Sequence, residues 1–174
     1  MSLNIEKTNF VVFRPYNKPL RHNITLKIQK NAISEKHHVK YLGVMIDAGL
    51  TWQAHIDTIS NKLSRAIGLL YKIRPYVNIQ ILKMLYYSLI FSHLNYAVEV
   101  WGSAHNIYLN RILILQKRAI RLLSYCDKRL EDFSLQPSDP LFYKLQIHKI
   151  QDIFILRTSK FVYNCLIKVT PVNF

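Results

Sequence analysis

The acids come first, because enzymes that act on phosphodiesters hold divalent ions with carboxylates clustered in space. The chain has ten: Glu6, Glu35, Asp47, Asp57, Glu99, Asp127, Glu131, Asp132, Asp139 and Asp152. Only Glu131 and Asp132 are adjacent. They stand near Arg129 in an expected loop and read as a solvated turn. The histidines are His22, His37, His38, His55, His93, His105 and His148, and no two stand four apart as a helical zinc pair would. His55 falls on or beside the apolar stripe of its helix and reads as a hydrogen-bonded structural residue. No serine lies in a nucleophile-elbow sequence, and there is no glycine-rich phosphate loop. Cys126 and Cys165 lack zinc-finger spacing and are too few for a disulfide framework, so both are expected to be buried free thiols. The residues of this chain are expected to catalyse nothing by themselves.

The positive signal is cationic. Lysine and arginine number 24 against 10 acids, a net charge of +14 with a pI near 9.9. Residues 1–50 hold 8 basic and 3 acidic residues, residues 51–130 hold 11 and 3, and residues 131–174 hold 5 and 4. A folded domain this basic is expected to meet a polyanion, with nucleic acid favoured over an anionic membrane surface. Lys40-Tyr41 joins a cation to an aromatic at the start of a strand. Arg65, Lys72 and Arg74 lie on the exposed side or end of one helix, and Lys117, Arg118 and Arg121 share a face of another at spacings of three and four. Such faces suit backbone phosphates and give salt-sensitive contact that ignores base sequence. Each cation alone could equally be part of a solvated surface. Most of the 11 tyrosines are expected to fill the core and its rim, and the sequence alone does not mark any of them as a base-stacking platform.

The elements that must position these residues change character once. Half the residues are hydrophobic and a fifth are charged, which excludes disorder, and four glycines are few for an all-β chain. Asn9 to Phe13 is a β-prone run stopped at Arg14-Pro15. Ile24, Leu26 and Ile28 alternate with polar residues, and Val39 to Ile46 reads as a third strand. No crossover helix separates these runs, so an antiparallel, hairpin-like sheet is expected. After Asp47-Ala48-Gly49 the period becomes helical. Thr51 is expected to cap a helix whose stripe is Trp52, Ile56, Ile59, Leu63, Ala66, Leu70 and Ile73. Asn78 should cap a second helix running to about Trp101-Gly102, apolar on nearly all sides in its middle. A third, from about Tyr108 to Tyr125, should bury Leu109, Ile112, Leu113, Gln116, Ala119, Ile120 and Leu123. Asp139 before Pro140 should open the last helical stretch, which runs to about Ile167 with a break near His148. The class is α+β: a small antiparallel hairpin or sheet, then a bundle of about four helices.

No signal peptide is visible at the first residues. The longest uncharged run, Met84 to Val98, is 15 residues. A spanning helix needs about 20, so a soluble intracellular domain is expected.

Several segments resemble the end of non-LTR (LINE-type, Jockey-like) retrotransposon reverse transcriptases. Leu3 to Thr8 with Phe10 to Phe13 resembles the segment after the catalytic aspartates. Lys40-Tyr41-Leu42-Gly43-Val44 with Asp47 resembles the strand closing the palm. Leu50, Trp52, His55-Ile56 and Lys62 resemble the start of the thumb. Tyr86, Leu94-Asn95-Tyr96, Trp101-Gly102 and Gln116-Lys117-Arg118-Ala119-Ile120-Arg121 resemble the thumb helices. Order and spacing agree over residues 3–125 and more loosely beyond.

The resemblance implies a palm remnant over residues 1–47, a helical thumb over 48–130 and a helical extension over 131–174. It implies template and primer, RNA and DNA, as partners, together with the upstream palm and fingers of the parent polymerase, and no membrane. Lys40, Tyr41, Leu42 and Gly43 would support the primer end. Lys62, Arg65, Lys117, Arg118 and Arg121 would approach the backbone of the duplex. The parent would join nucleotides with Mg2+, while this chain would hold no cofactor. The trio Tyr125-Cys126-Asp127 is not the catalytic pair, since Lys128 stands where a second aspartate is needed and the order along the chain is wrong. The catalytic part is expected upstream of Met1, with the cytoplasm and nucleus as compartments. The alternative reading is a non-catalytic basic helical module, domesticated or degenerate, that binds protein.

Overall fold

The computed structural model describes residues 8–15, 18, 24–28, 31–124 and 137–167. Tyr125 to Glu131-Asp132, Cys126 among them, and Leu3 to Lys7 lie outside the described residues. The chain divides into two compact units, 1–55 and 56–174. The α+β order is as expected: short strands, then helices.

The first unit holds β1 (Asn9–Phe10), β2 (Leu26–Ile28), β3 (Asn31–Glu35), β4 (His38–Tyr41) and β5 (Val44–Asp47). Two expectations are corrected here. The first sheet has the order β1-β3-β2, and β1 runs parallel to β3. Hairpin pairing of β2 with β3 fills one edge of β3 and leaves the other to β1. The run from Val39 to Ile46 is not one strand: it turns back at Leu42-Gly43 into an antiparallel hairpin, with Tyr41 opposite Val44 and Lys40 opposite Met45. Gly43, at φ 83°, supplies a conformation that side chains resist. Backbone bonds from Ala48 N–H to His37 O (2.8 Å) and from Arg14 N–H to Ala48 O (3.0 Å) extend this unit's pairing past the strand ends.

The helices are α1 (Gln53–Ile73), α2 (Ile79–Tyr86), α3 (Ser92–Asn95), α4 (Val98–Trp101), α5 (Asn106–Ser124), α6 (Ser138–Leu145) and α7 (Ile150–Ile167). The stripe on α1 buries Ile56, Ile59, Leu63 and Leu70 as the period requires. Trp52 is not part of it, because its φ of 65° lies outside helical space and α1 opens only at Gln53. Asn78 does cap α2, its Oδ1 accepting from Ile81 N–H at 2.9 Å.

The second expected helix is interrupted twice. Tyr87–Phe91 forms a π turn, which accommodates Tyr86, Tyr87 and Phe91 edge to face at centroid distances of 5.7 and 5.2 Å. At Tyr96-Ala97 the helix breaks, with Ala97 in the left-handed region at φ 49°. Trp101 Nε1–H donates to the Tyr96 carbonyl at 2.8 Å, occupying an acceptor near that break.

Gln116 on α5 is fully buried and ties three places together. Its Nε2 donates to Tyr86 Oη (3.0 Å) and to the His148 carbonyl (2.8 Å), and its Oε1 accepts from Ile150 N–H (3.0 Å). Burial pushes the Tyr86 phenol well above its ordinary pKa, although the bond from Gln116 works the other way. Asp139 does not cap α6, which starts one residue earlier; its carboxylate instead lies 3.0 Å from Lys149 Nζ. The break near His148 is present, between α6 and α7. Cys165 is exposed rather than buried, because α7 runs on past the residues that cover its first turns.

α4 meets α7 at Trp101-Gly102. A Cβ on Gly102 would overlap the Phe154 ring and the Val98 carbonyl oxygen. The glycine therefore sets how closely the two helices approach. Gly102→Ala is expected to destabilise the chain by about 2 kcal/mol, read as a lower urea midpoint at unchanged m.

Candidate nucleic-acid interface

In the first unit, the expected contact residues form the tip of the β4–β5 hairpin. Leu42 (φ 44°) and Gly43 (φ 83°) are the two central residues of a tight turn with positive φ, a geometry that matches the twist of the flanking strands. Lys40 is exposed on β4, and Tyr41 and Leu42 are 64% and 73% exposed. The tip thus presents a cation, an aromatic face and an aliphatic side chain to solvent.

The tip is held from behind by Asp47 and His55. Asp47 is buried at the end of β5. Its Oδ1 accepts from Gly49 N–H (3.1 Å), Thr51 N–H (2.9 Å) and the Thr51 hydroxyl (3.2 Å), and its Oδ2 from Trp52 N–H (2.7 Å). Asp47 thus holds the turn that leads into α1, while the Thr51 hydroxyl accepts from Gln53 N–H, the first residue of that helix, at 3.4 Å. Leu50 and Trp52 both have positive φ, a conformation costing roughly 1–2 kcal/mol per residue, and bonds to a carboxylate offset that cost. The buried His55 ring accepts from Met45 N–H at Nδ1 (3.3 Å), the structural role expected of it. The Asp two residues before a glycine was the sequence signal for this turn; the reach of its carboxylate to Trp52 had no local signal.

In the second unit, Lys62 and Arg65 are exposed on α1. Lys62 lies close enough to His93 to act on it: partial burial first, and then the Lys62 charge, lower the pKa of that imidazole. On α5, Lys117, Arg118 and Arg121 fall within an arc of about 100° of the helix. They are not equally available. Arg118 is exposed, whereas Lys117 and Arg121 are half-buried. Lys117 contributes to the field that holds the Asp139 carboxyl below its usual range, after the hydrogen bond and charge of Lys149. Arg111, on the same helix, is engaged with Asp57 of α1. The three cations share one side of α5, and part of the charge on that helix is committed inside the unit.

Among the described residues, no three of histidine, cysteine, aspartate and glutamate come together as a metal site, and no helix is long and apolar enough to cross a membrane.

Comparison with known proteins points to one class, the RNA-directed DNA polymerases of mobile elements. The chain is 30% identical over 100 residues to the RNA-directed DNA polymerase from mobile element jockey of Drosophila funebris. It is 24% identical over 103 residues to the probable RNA-directed DNA polymerase from transposon X-element of Drosophila melanogaster, and 20% identical over 139 residues to that from transposon BS of the same fly. The resemblance to non-LTR retrotransposon reverse transcriptases is therefore borne out. The matches take in 56%, 58% and 78% of this chain but only 11%, 11% and 15% of those relatives. No protein-family model and no solved structure matches.

Two outcomes test the supports of this surface. Asp47→Ala is expected to cost about 3 kcal/mol and to abolish exchange protection at the amides of Gly49, Thr51 and Trp52. His93 resists protonation in the fold, so its contribution is present above the ordinary imidazole pKa and is lost as pH falls through the lowered value. His93→Gln should flatten the fall in stability below about pH 6.5, checked by denaturation midpoints across pH.

Proposed function

We propose that the chain is the palm end and thumb of a non-LTR retrotransposon reverse transcriptase and that it holds the template–primer duplex without joining nucleotides. The observation that carries this reading is the similarity to three RNA-directed DNA polymerases of mobile elements. RNA-directed DNA synthesis belongs, on this reading, to the parent enzyme, with Mg2+ held by residues of its upstream palm and fingers. Those regions are partners of this chain, and its compartments are the cytoplasm and nucleus, where RNA and DNA meet.

The hairpin tip, Lys40 to Gly43, supports the primer end. Lys62, Arg65 and Arg118 are the cations best placed to reach phosphates, being exposed, with Lys117 and Arg121 behind them. Phosphate contact of this kind positions a duplex without reading its sequence.

A second reading, a basic helical module that binds protein, draws support from the far end of α7. There Phe161, Tyr163, Leu166 and Ile167 are each more than half exposed, more apolar surface than a solvated helix end needs.

Titration of an RNA–DNA duplex across a salt series separates the two. Affinity should fall steeply with salt, and the combined Lys117→Glu, Arg118→Glu and Arg121→Glu variant should lower the log–log slope by about 3, close to one unit per lost phosphate contact. Unchanged affinity in that variant favours the protein-binding module.

A further inference from the structure

Exposed aromatic rings and cations also cluster at the turn between α1 and α2. Ile73 ends α1, and Arg74-Pro75-Tyr76 form a single 3₁₀ turn before Val77 extends and Asn78 caps α2. Tyr76 is 86% exposed and Tyr71 is 58% exposed. The Arg74 guanidinium stands 4.9 Å from the centroid of the Tyr71 ring, within cation–π range. Lys72 is exposed beside them. Pro75 fixes one φ of the turn and the capped start of α2 anchors its far side, so Tyr76 is offered to solvent from rigid backbone. No acid occurs between Asp57 and Glu99, a span that carries Lys62, Arg65, Lys72, Arg74 and Lys83.

Two solvent-facing tyrosine rings set among cations are the parts of a stacking platform. Buried aromatics serve a core, but a ring as exposed as Tyr76 contributes little to one. The bases of a duplex are already stacked on one another and offer no free faces to such rings, whereas an unpaired strand does. We infer that Tyr71 and Tyr76, with Arg74 and Lys72, bind a single-stranded segment of DNA or RNA by base stacking, separately from the phosphate contacts assigned to the duplex. This rests on the nucleic-acid reading above and adds to it the class of strand bound at this turn.

Anisotropy titrations of the full chain test it, with labelled oligo(dT) and oligo(U) of about 12 nucleotides, the range a small binding surface covers, beside an RNA–DNA duplex of equal length. Tyr76→Ala and Tyr71→Ala should each weaken oligonucleotide binding roughly fivefold or more, the loss of one stacked base. Tyr76→Phe should restore it, and duplex affinity should not change. Unchanged urea midpoints establish that these exposed-site variants keep the fold. The two oligonucleotides show whether DNA, RNA or both are taken. Unchanged oligonucleotide affinity in Tyr76→Ala overturns the inference and leaves the turn to contact with protein; an equal loss on duplex and single strand also overturns it. If the wild-type chain ignores duplex yet binds oligonucleotide through Tyr76, the duplex reading falls and the stacking turn stands.

Discussion

The buried amide of Gln116 is the constraint on which the helical unit depends. An amide inside a helical core is costly unless every donor and acceptor is met. Here one side chain reaches the Tyr86 hydroxyl, the His148 carbonyl and the Ile150 amide. Those partners come from α2, from the link after α6 and from the first residue of α7. Only one rotation of α5 places the amide among them. That rotation in turn decides which neighbours face outward. With Gln116 pointing in, Arg118 is carried to solvent while Lys117 and Arg121 stop at the boundary. The run Gln116-Lys117-Arg118 is thus a polar anchor followed immediately by the charges it orients.

Much of this could be read from the chain alone, and the parts that could not share a cause. Periodicity placed Ile56, Leu63, Leu70, Ile112, Ala119, Ile120 and Leu123 inside, and put Gln116 on the buried face of its helix, because burial of a stripe is a property of local spacing. The partners of Gln116 were invisible, since they lie about 30 residues away on either side (Tyr86 and His148). The cations of the candidate surface were also legible as types and positions. Their availability was not, because the engagement of Arg111 with Asp57 and the field of Lys117 on Asp139 are matters of tertiary placement.

The errors at element ends have the same origin. From spacing alone the hairpin at Leu42-Gly43 reads as one strand, because leucine seldom accepts a positive φ and a leucine before glycine carries little turn signal. Thr51 reads as a cap and its hydroxyl does meet Gln53 N–H, but spacing alone gives no sign that a buried carboxylate four residues earlier gathers the amides of Thr51 and Trp52. The π turn at Tyr87–Phe91 had no signal in a segment apolar on nearly all sides. Extra residues in such a turn rotate everything after it, so a stripe counted through the turn drifts off the true face. The break at Ala97 is of the same kind, for alanine is the residue that helix propensity would least suspect of ending a helix.

Leu42 carries one more implication. At φ 44° and 73% exposed, its side chain gives the hairpin almost nothing by burial while holding the backbone in a conformation that asparagine or glycine would adopt at less cost. A population of sequences sorted only for resistance to unfolding would discard leucine at this position. Natural sequences are not driven to the limit of stability, so a leucine in a left-handed turn persists as a local cost that the rest of its unit offsets.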